Sequence, residues 1–453
     1  MSATIYKTLS QTPLRLTGGD GVWLHAAGRA PILDTCGGVV VSSLGHCHPR
    51  ICAAMARESE KIAWAHAGSF TCDAAEELAQ FLVDQAGPGL SHVQFLSGGS
   101  EAMELAVKMA YQYHCEHGEA ARNRFISRRH SYHGSTLGTL ALSHNTMRRG
   151  VFEPLLSKVE FVSPCNAYRG KCDGETDDAY VARLAYELDE KISSLGAGTV
   201  AAFVAEPVVG STNGAVPALP GYFRAIREVC DRHGVLLILD DVMSGMGRTG
   251  HLFSHQADGI TPDIVAIGKG LAAGYQPISG CMIAPHIYAG LRDGSGVLQS
   301  GQTHVNHPFA CAVALEVQKT IAEDGLIEAV NRQGARMQAG LQILAASNPF
   351  IGDVRGRGLF LGIEFVVDKA TKLPMPNGEF IAAALKRAGL DHNVLLYPGS
   401  GTANGREGCH ILFGPPFIAT DAEVDEALSR IGGAINACVP AMESVASASL
   451  ATN

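Results

Sequence analysis

Apolar and polar segments alternate regularly along the chain from about residue 60 onwards. Short apolar runs that indicate buried strands stand at Val93–Leu96, Arg124–Ile126, Lys158–Val162, Val200–Ala205, Val235–Leu239 and Ile264–Ile267. Segments with helical periodicity separate them, for example Glu101–Tyr113 and Tyr222–His233. Such alternation is typical of a mostly parallel sheet with helices on both faces. The pattern therefore predicts an α/β fold whose site lies at the carboxyl ends of the strands.

The pattern divides the chain into three parts. Residues 1–60 carry short strand-like pieces and a helix that begins at Pro49, and we expect this segment to pack with the C-terminal part. Residues 61–325 are predicted to form the large domain that holds the site. Residues 326–453 mix helices with strands, which predicts a smaller α+β domain whose Ser- and Ala-rich tail, from Ser444 onwards, frays.

Composition narrows the classes of function. Hydrophobic residues make up 46% of the chain and charged residues 17%, so a large core can be buried. The net charge of -9, with no basic block, argues against nucleic acid or an anionic membrane as a partner. The first ten residues contain no apolar core of signal-peptide length, and no apolar run approaches the length of a membrane span. The 12 cysteines, without a CxxC pair, are expected to be reduced thiols of a cytoplasmic protein.

Lys269 follows the apolar run Ile264–Ile267 and stands between Gly268 and Gly270. An ammonium buried at the end of such a strand is unfavourable unless something uses it. The flanking glycines allow another molecule to approach the amine closely. A desolvated lysine loses its proton readily, and the neutral amine forms a Schiff base with a carbonyl. The alternative is a surface lysine in a Gly-rich turn, which this segment alone leaves open.

A Gly-rich turn, Ser97-Gly-Gly-Ser-Glu-Ala102, opens a helix directly after a predicted strand. The free N–H groups and the positive dipole end of such a helix bind phosphate readily. A plain capped helix uses the same N–H groups, so both interpretations stay open. The turn is neither a GxGxxG fingerprint nor a Walker P-loop, which disfavours NAD or ATP.

Acidic and aromatic residues follow other strands. Asp240 ends an apolar strand and needs a cationic partner, which a protonated ring nitrogen or Arg248 could supply. Tyr132 lies in a loop and could stack on a flat ring, and Glu206 and Thr303 add polar groups nearby. The Gly-rich turn, Tyr132, Asp240 and Lys269 together match the phosphate, ring face, ring nitrogen and aldehyde of pyridoxal 5′-phosphate. His46 and His48 lack further ligands at suitable spacing, so no metal site is predicted.

Over nearly its whole length the chain resembles the class III (omega) aminotransferases, which are pyridoxal-phosphate enzymes of fold type I. The motifs that carry the resemblance are Ser97-Gly-Gly-Ser-Glu-Ala102, Tyr132-His-Gly134, Glu206-Pro207, Asp240-Asp-Val242, Gly268-Lys-Gly270 and Gly301-Gln-Thr303. The resemblance implies a mostly parallel sheet of the seven-stranded type with helices on both faces, and a smaller α+β C-terminal domain.

The same resemblance implies roles for individual residues. The residues expected to bind the cofactor are Gly99, Ser100, Tyr132, Glu206, Asp240, Val242, Lys269 and Thr303. Lys269 and Asp240 are the expected catalytic residues, one bonded to the cofactor aldehyde and the other paired with the pyridine nitrogen. Thr303 reaches the phosphate bound by the neighbouring subunit, which implies a homodimer, or a tetramer, with shared sites.

The remaining cofactor contacts also follow from the resemblance. Gly99 and Ser100 bind the phosphate, while Tyr132 stacks on the ring and Val242 packs on its other face. The chain departs from the family at Met243, where Gln is common, and the neighbouring Asp241 replaces the usual Glu.

Trp64 and Arg406 are expected to contact the substrate. Arg406 lies in the Gly-rich segment Gly401–His410, a predicted mobile loop from which a guanidinium could grip a substrate carboxylate. A local ion pair or simple solvation is the alternative role of Arg406. Several relatives place a mobile arginine at the position of Gly405.

The function implied by the resemblance is transamination by a ping-pong Schiff-base reaction. An amine or amino acid would donate the amino group, and a keto acid or other carbonyl compound would accept it. An aminomutase or a decarboxylating transaminase on the same scaffold stays open as an alternative. A dinucleotide-dependent oxidoreductase would need GxGxxG after the first strand, and that position lacks it.

Overall fold

The computed structural model describes residues 3–196 and 198–450. Its strands are β1 (Leu16–Asp20), β2 (Trp23–Ala26), β3 (Ile32–Asp34), β4 (His92–Leu96), β5 (Arg124–Arg128), β6 (Glu160–Val162), β7 (Val200–Ala205), β8 (Val208–Val209), β9 (Val216–Pro217), β10 (Leu236–Asp240), β11 (Ile264–Ile267), β12 (Ser279–Ile283), β13 (Ile351–Arg357), β14 (Phe360–Asp368), β15 (Leu373–Pro374), β16 (Val394–Leu395), β17 (Tyr397–Ser400) and β18 (Cys409–Phe413).

Helices alternate with these strands through most of the chain. They are α1 (Gly37–Val40), α2 (Pro49–Ser59), α3 (Asp73–Ala86), α4 (Gly99–Glu116), α5 (Leu137–Leu142), α6 (Thr146–Arg149), α7 (Ala167–Gly170), α8 (Asp177–Leu195), α9 (Tyr222–His233), α10 (Pro285–Asp293), α11 (Pro308–Glu323), α12 (Leu326–Ser347), α13 (Gly378–Asp391) and α14 (Asp421–Leu450). Within the described ranges, none of them combines the length and apolar character that a membrane crossing requires.

A seven-stranded sheet forms the centre of the molecule, in the order β4-β12-β11-β10-β7-β5-β6. Strand β12 runs antiparallel to β4 and β11, and the pairs from β11 to β6 are parallel. This confirms the predicted α/β fold and its mostly parallel sheet. Strand β12 is absent from the six predicted strands, because its sequence begins with Ser279 and Gly280 rather than with an apolar run.

Helices cover both faces of this sheet, as strand geometry requires. In β7 every residue is buried, and its side chains alternate between two cores. Ala202 and Val204 pack in the core that contains α4 and α10. Phe203 and Ala205 pack in the core formed with α8 and α9. A strand with apolar contacts on both faces reads as a continuous apolar run, which is why the sequence indicates it clearly.

The carboxyl ends of the parallel strands meet at one edge and carry the predicted site residues. Gly99 follows β4, Tyr132 follows β5, Glu206 follows β7, Asp240 ends β10, and Lys269 follows β11. Because β4, β5, β7, β10 and β11 point the same way, these five positions are brought to a common edge.

A second sheet, β13-β14-β18-β17 with β15 at its side, packs against α12 and α13, and α14 packs against these two helices. A third sheet, β1-β2-β3-β16, joins the two ends of the chain, and Thr35 Oγ1 donates to the Leu395 carbonyl at 2.7 Å. The division into domains at residues 60 and 325 stays a prediction. The predicted fraying from Ser444 is wrong as far as Leu450, because α14 continues and Ala446 is buried in the core. Residues 451–453 lie outside the described residues.

Candidate active site

A cavity of about 470 Å³ lies at this edge of the central sheet. Its wall contains seven of the eight residues expected to bind the cofactor: Gly99, Ser100, Tyr132, Glu206, Asp240, Val242 and Lys269. Val41, Met243 and Ile278 make part of the wall apolar. The fold therefore brings the phosphate turn, the aromatic ring, the acids and the lysine to one space, although they are far apart in sequence.

Lys269 is held at the cavity by an unusual backbone. Its φ of 45° lies in the left-handed region, which side-chain-bearing residues adopt rarely. Gly268 precedes it, and a Cβ there would lie 3.2 Å from Val242 Cγ1. Burial lowers the pKa of Lys269 to about 8, although the charges of Asp240 and Glu206 act in the opposite direction. The amine is therefore partly neutral at mildly alkaline pH.

Asp240 is buried, and its two carboxylate oxygens are held in place separately. His133 Nδ1 donates to Asp240 Oδ2 at 2.9 Å, and the Val242 amide donates to Asp240 Oδ1 at 3.2 Å. His133 Nε2 in turn lies 3.2 Å from Ser127 Oγ. The imidazole thus fixes the direction of the carboxylate. The sequence gives no role to His133, because the two residues that it connects, Ser127 and Asp240, cannot be paired from spacing alone.

Arg248, the alternative partner for Asp240, lies elsewhere. Its guanidinium donates to the carbonyls of Leu359 and Pro415, at 3.2 and 2.6 Å, and stacks on the ring of Phe417. Burial lowers the pKa of Arg248 to about 9. In the described part of the chain Arg248 forms no ion pair with Asp240, so the Asp240 carboxylate is available to a cation bound in the cavity.

Glu206 orients the loop that carries the aromatic ring. Its carboxylate accepts hydrogen bonds from the amides of Tyr132 and Gly210, each at 3.0 Å. Burial raises the pKa of Glu206, and the charge of Asp240 acts in the same direction. Glu206 therefore connects the end of β7 with the loop after β5, and it fixes Tyr132 at the cavity wall.

The start of α4 provides free backbone donors. Glu101 Oε2 accepts from the amides of Ser97 and Gly98, at 3.1 and 3.0 Å. The next two amides, those of Gly99 and Ser100, stand in the first helical turn and have no intrahelical acceptor. Both residues line the cavity. Such a helix start suits a phosphate group.

Three predicted residues lie away from the cavity wall. Thr303 is exposed, and its carbonyl accepts from Trp64 Nε1 at 3.1 Å. Arg406 is exposed in the loop between β17 and β18, where its amide donates to Asn404 Oδ1. A single chain therefore does not bring Thr303, Trp64 or Arg406 to the cavity, and the roles assigned to them stay predictions.

The two departures from the family have different surroundings. Asp241 is fully buried and accepts from Ser244 Oγ at 2.6 Å and from the Ser254 amide at 2.9 Å. Burial raises the pKa of Asp241, and its carboxylate is occupied by these serines outside the cavity wall. Met243 does line the cavity, where it replaces a potential hydrogen-bonding group with an apolar one.

Taken together, the wall suits pyridoxal 5′-phosphate. The helix start is suited to its phosphate, Tyr132 to a ring face, the Asp240 carboxylate to a protonated ring nitrogen, and the Lys269 amine to an aldehyde. Among the residues that the structure describes, no three His, Cys, Asp or Glu side chains cluster in the manner that a metal ion requires.

Comparison with known proteins gives matches over nearly the whole chain. The family model for class-III aminotransferases matches residues 5–435. An uncharacterised aminotransferase of Schizosaccharomyces pombe is 38% identical over 438 residues, which cover 96% of this chain and 95% of that protein. The uncharacterised aminotransferase YodT of Bacillus subtilis is 36% identical over 397 residues, which cover 88% of this chain and 89% of that protein.

Solved structures show the same architecture. The omega transaminase of Pseudomonas jessenii in complex with PMP has a TM-score of 0.88 and 30% identity, with 96% of each chain covered. An (S)-enantioselective omega transaminase of Thermomicrobium roseum has a TM-score of 0.88 and 33% identity, with 96% of this chain and 94% of that one covered.

Proposed function

Since the chain belongs to the class III aminotransferase family, and is therefore a pyridoxal-phosphate-dependent aminotransferase, we propose that Lys269 and Asp240 carry out its chemistry. Its substrates are small amines and keto acids. The observation that supports the residue assignment is the meeting of Lys269, Asp240 and the start of α4 at one cavity.

When bound, the cofactor supplies an aldehyde that takes up the amino group and a ring that withdraws electrons from the reacting carbon. The Lys269 amine, whose pKa of about 8 leaves it partly neutral, acts as the nucleophile. With the cofactor bound, the same amine would also move the proton at the reacting carbon of the substrate. Asp240, oriented by His133 at 2.9 Å, keeps the proton on the ring nitrogen.

Binding and orientation fall to other residues of the wall. Gly99 and Ser100 bind the phosphate through their backbone amides. Tyr132 and Val242 both line the cavity, where Tyr132 would pack on one face of the cofactor ring and Val242 on the other. Glu206 holds Tyr132 in position through the hydrogen bond to its amide.

The proposal extends to the assembly. We place Thr303 and Trp64 at the site of the neighbouring subunit in a homodimer, because both are exposed and joined by a hydrogen bond outside the cavity of their own chain. Such a dimer, or a tetramer built from it, would have shared active sites. A cytoplasmic location, predicted from the cysteines, stays part of the proposal.

The function is tested with purified protein reconstituted with the cofactor. We expect a yellow chromophore that an amine donor bleaches and that pyruvate or 2-oxoglutarate restores. Product analysis should show the amine of the acceptor, with the carbon skeletons of both partners intact. No observation favours either alternative. An aminomutase would move the amino group within one molecule and yield no separate aminated acceptor, and a decarboxylating transaminase would release carbon dioxide and shorten the donor's skeleton by one carbon. A chromophore that no amine bleaches would contradict the proposal.

A further inference from the structure

Arg148 places a guanidinium beside the wall of the active-site cavity. It lies on the short helix α6, and its guanidinium carbon stands 4.5 Å from the centroid of the Tyr132 ring. The side chain of Tyr132 lines the cavity. At this distance the cation interacts with the ring face, which holds the guanidinium near the substrate space.

The neighbouring arginine has a different role. Arg149 is buried and donates to the carbonyls of Ala141 and Ser143, at 2.7 and 2.6 Å, and it pairs with Glu153 at 3.0 Å. Arg148 is exposed and forms no ion pair with a carboxylate among the residues that the structure describes. Arg149 therefore anchors α6, whereas Arg148 has a guanidinium available for another anion.

The position of α6 is fixed at both of its sides. Asn145 caps the helix by accepting from the Arg148 amide at 3.2 Å. Thr146 Oγ1 donates to the Gly405 carbonyl at 2.6 Å. A Cβ at Gly405 would lie only 2.8 Å from Thr146 Oγ1, so the glycine permits this close contact. The helix is thus held against the loop between β17 and β18, and Arg148 is carried with it.

The charge of Arg148 acts on groups in and around the cavity. Burial raises the pKa of Tyr397, and Arg148 opposes this through its charge and a hydrogen bond. Arg148 also contributes to the lowered pKa of Lys269, after burial, while Asp240 and Glu206 oppose it. Together with the 4.5 Å separation from the Tyr132 ring, these effects place the positive charge of Arg148 at the cavity wall.

A carboxylate that enters the cavity faces two carboxylates, Asp240 and Glu206, which line the wall. The Lys269 amine is committed to the reacting carbon. We propose that Arg148 is a specificity-determining residue that binds the carboxylate of a keto acid or amino acid substrate on the Tyr132 side of the cavity. The planar guanidinium donates two parallel hydrogen bonds to a carboxylate, which gives both affinity and orientation. This inference rests on the proposed function.

The test compares charged and uncharged acceptors with one amine donor and the holoenzyme. Arg148→Gln should raise KM for pyruvate and 2-oxoglutarate by roughly ten- to a hundredfold, the loss of a charge-assisted pair, and leave KM for butanal within about twofold. The KM of Arg148→Lys for the keto acids should lie between those of the wild type and Arg148→Gln, because lysine keeps the charge but cannot donate the paired hydrogen bonds. Arg332→Gln, an exposed arginine on α12, serves as the matched control and should change neither value.

Binding of glutarate, which carries carboxylates but no carbonyl, separates this inference from the proposed function. Calorimetry with the holoenzyme should show Kd weakened by a similar factor in Arg148→Gln. The inference would be overturned if Arg148→Gln left both the Kd for glutarate and the KM for the keto acids unchanged. It would also be overturned if the KM rose equally for butanal and for the keto acids. A keto acid-selective effect in Arg406→Gln alone would overturn it in favour of the mobile loop. Glutarate binding that depends on Arg148 without any transamination would instead overturn only the proposed function.

Discussion

Two groups in the cavity wall owe their chemical character to their surroundings. Burial lowers the pKa of Lys269 to about 8, and His133 fixes the carboxylate of Asp240 from 2.9 Å. Neither effect depends on neighbours in sequence, because the partners come from other strand ends. Substitutions of Lys269 and Asp240 test the site directly, and so does the pH dependence of cofactor attachment at Lys269.

Lys269→Ala should fold and lose transamination by several orders of magnitude, because the nucleophile and the proton carrier are removed together. Steady-state rates of the purified variant, with circular dichroism to check the fold, provide the measurement. Lys158→Ala removes a lysine whose side chain is 84% exposed and should leave the rate unchanged. Near-normal turnover in Lys269→Ala would end the assignment of Lys269.

The attachment of the cofactor to the apoprotein should depend on pH. Since the pKa of Lys269 is lowered to about 8, the amine is protonated and inert below this pH and becomes neutral as the pH rises through it. The attachment rate, followed by absorbance, should therefore increase with a midpoint near pH 8. A midpoint at the ordinary lysine value of about 10.4 would show that burial does not control the amine.

Asp240→Asn should bind the cofactor more weakly and turn over far more slowly, because a neutral amide no longer favours a proton on the ring nitrogen. The amide keeps the size of the side chain, so a loss of fold is not expected. Cofactor dissociation and kcat provide the two readouts. Equal values in the wild type and the variant would mean that another residue holds the ring.

The loops at the strand ends set the spacing between these groups. In the loop after β5, Gly134 has a φ of 140°, and a Cβ there would lie 2.4 Å from Thr139 Oγ1 and 2.8 Å from Ser100 Oγ. Only glycine allows this conformation and this contact together. The loop carrying Tyr132 is thereby packed directly onto the helix start that we assign to the phosphate.

Gly134→Ala should therefore destabilise the protein by about 1–3 kcal/mol and weaken cofactor retention, because the loop must move off the start of α4. Thermal unfolding and the rate of cofactor loss are the measurements. Gly150→Ala is the matched control, since a Cβ there meets nothing within 4 Å. Equal effects of the two substitutions would show that the close contact at Gly134 has no special importance.

The elements that the sequence predicts best are those whose own residues carry the signal. Strand β7 and helix α9 have the predicted bounds, because a doubly buried run and an amphipathic repeat are both local patterns. The sequence pattern predicts that the ends of β5, β7, β10 and β11 lie together, because strand ends of a parallel sheet share an edge. The contact of Val242 with a ring is implied only by the family resemblance. The sequence does not predict a role for Arg148, because the proposed role depends on the contact between its guanidinium and the Tyr132 ring. That contact forms only in the folded chain, so the spacing of residues in the sequence does not indicate it.

The whole molecule brings only part of the predicted site together within one chain. Thr303 and Trp64 lie on the surface, next to each other and outside the cavity wall. Ile62 and Phe70, which are 44% and 67% exposed, line a small surface cavity together with Asn306 and Pro308, close in sequence to Trp64 and Thr303. A second copy of the chain could cover them, which supports the proposed dimer.

Thr303→Ala should accordingly weaken cofactor retention without changing the cavity of its own chain. Cofactor dissociation and sedimentation at several protein concentrations provide the measurements, and activity should fall as the dimer dissociates. Thr17→Ala, at another exposed threonine, should have no effect on either. A fully active monomer would refute shared active sites.

The pairing of β3 with β16 bears on how the protein is made. Leu33 lies opposite Val394, and the hydrogen bond from Thr35 to Leu395 spans 360 residues. During synthesis β3 leaves the ribosome early, so it cannot pair with β16 until most of the chain has been synthesised. All seven strands of the central sheet lie between β3 and β16 in the chain, so they emerge in the meantime and can pair first. Nascent chains halted before residue 394 should therefore keep their first 35 residues open to proteases.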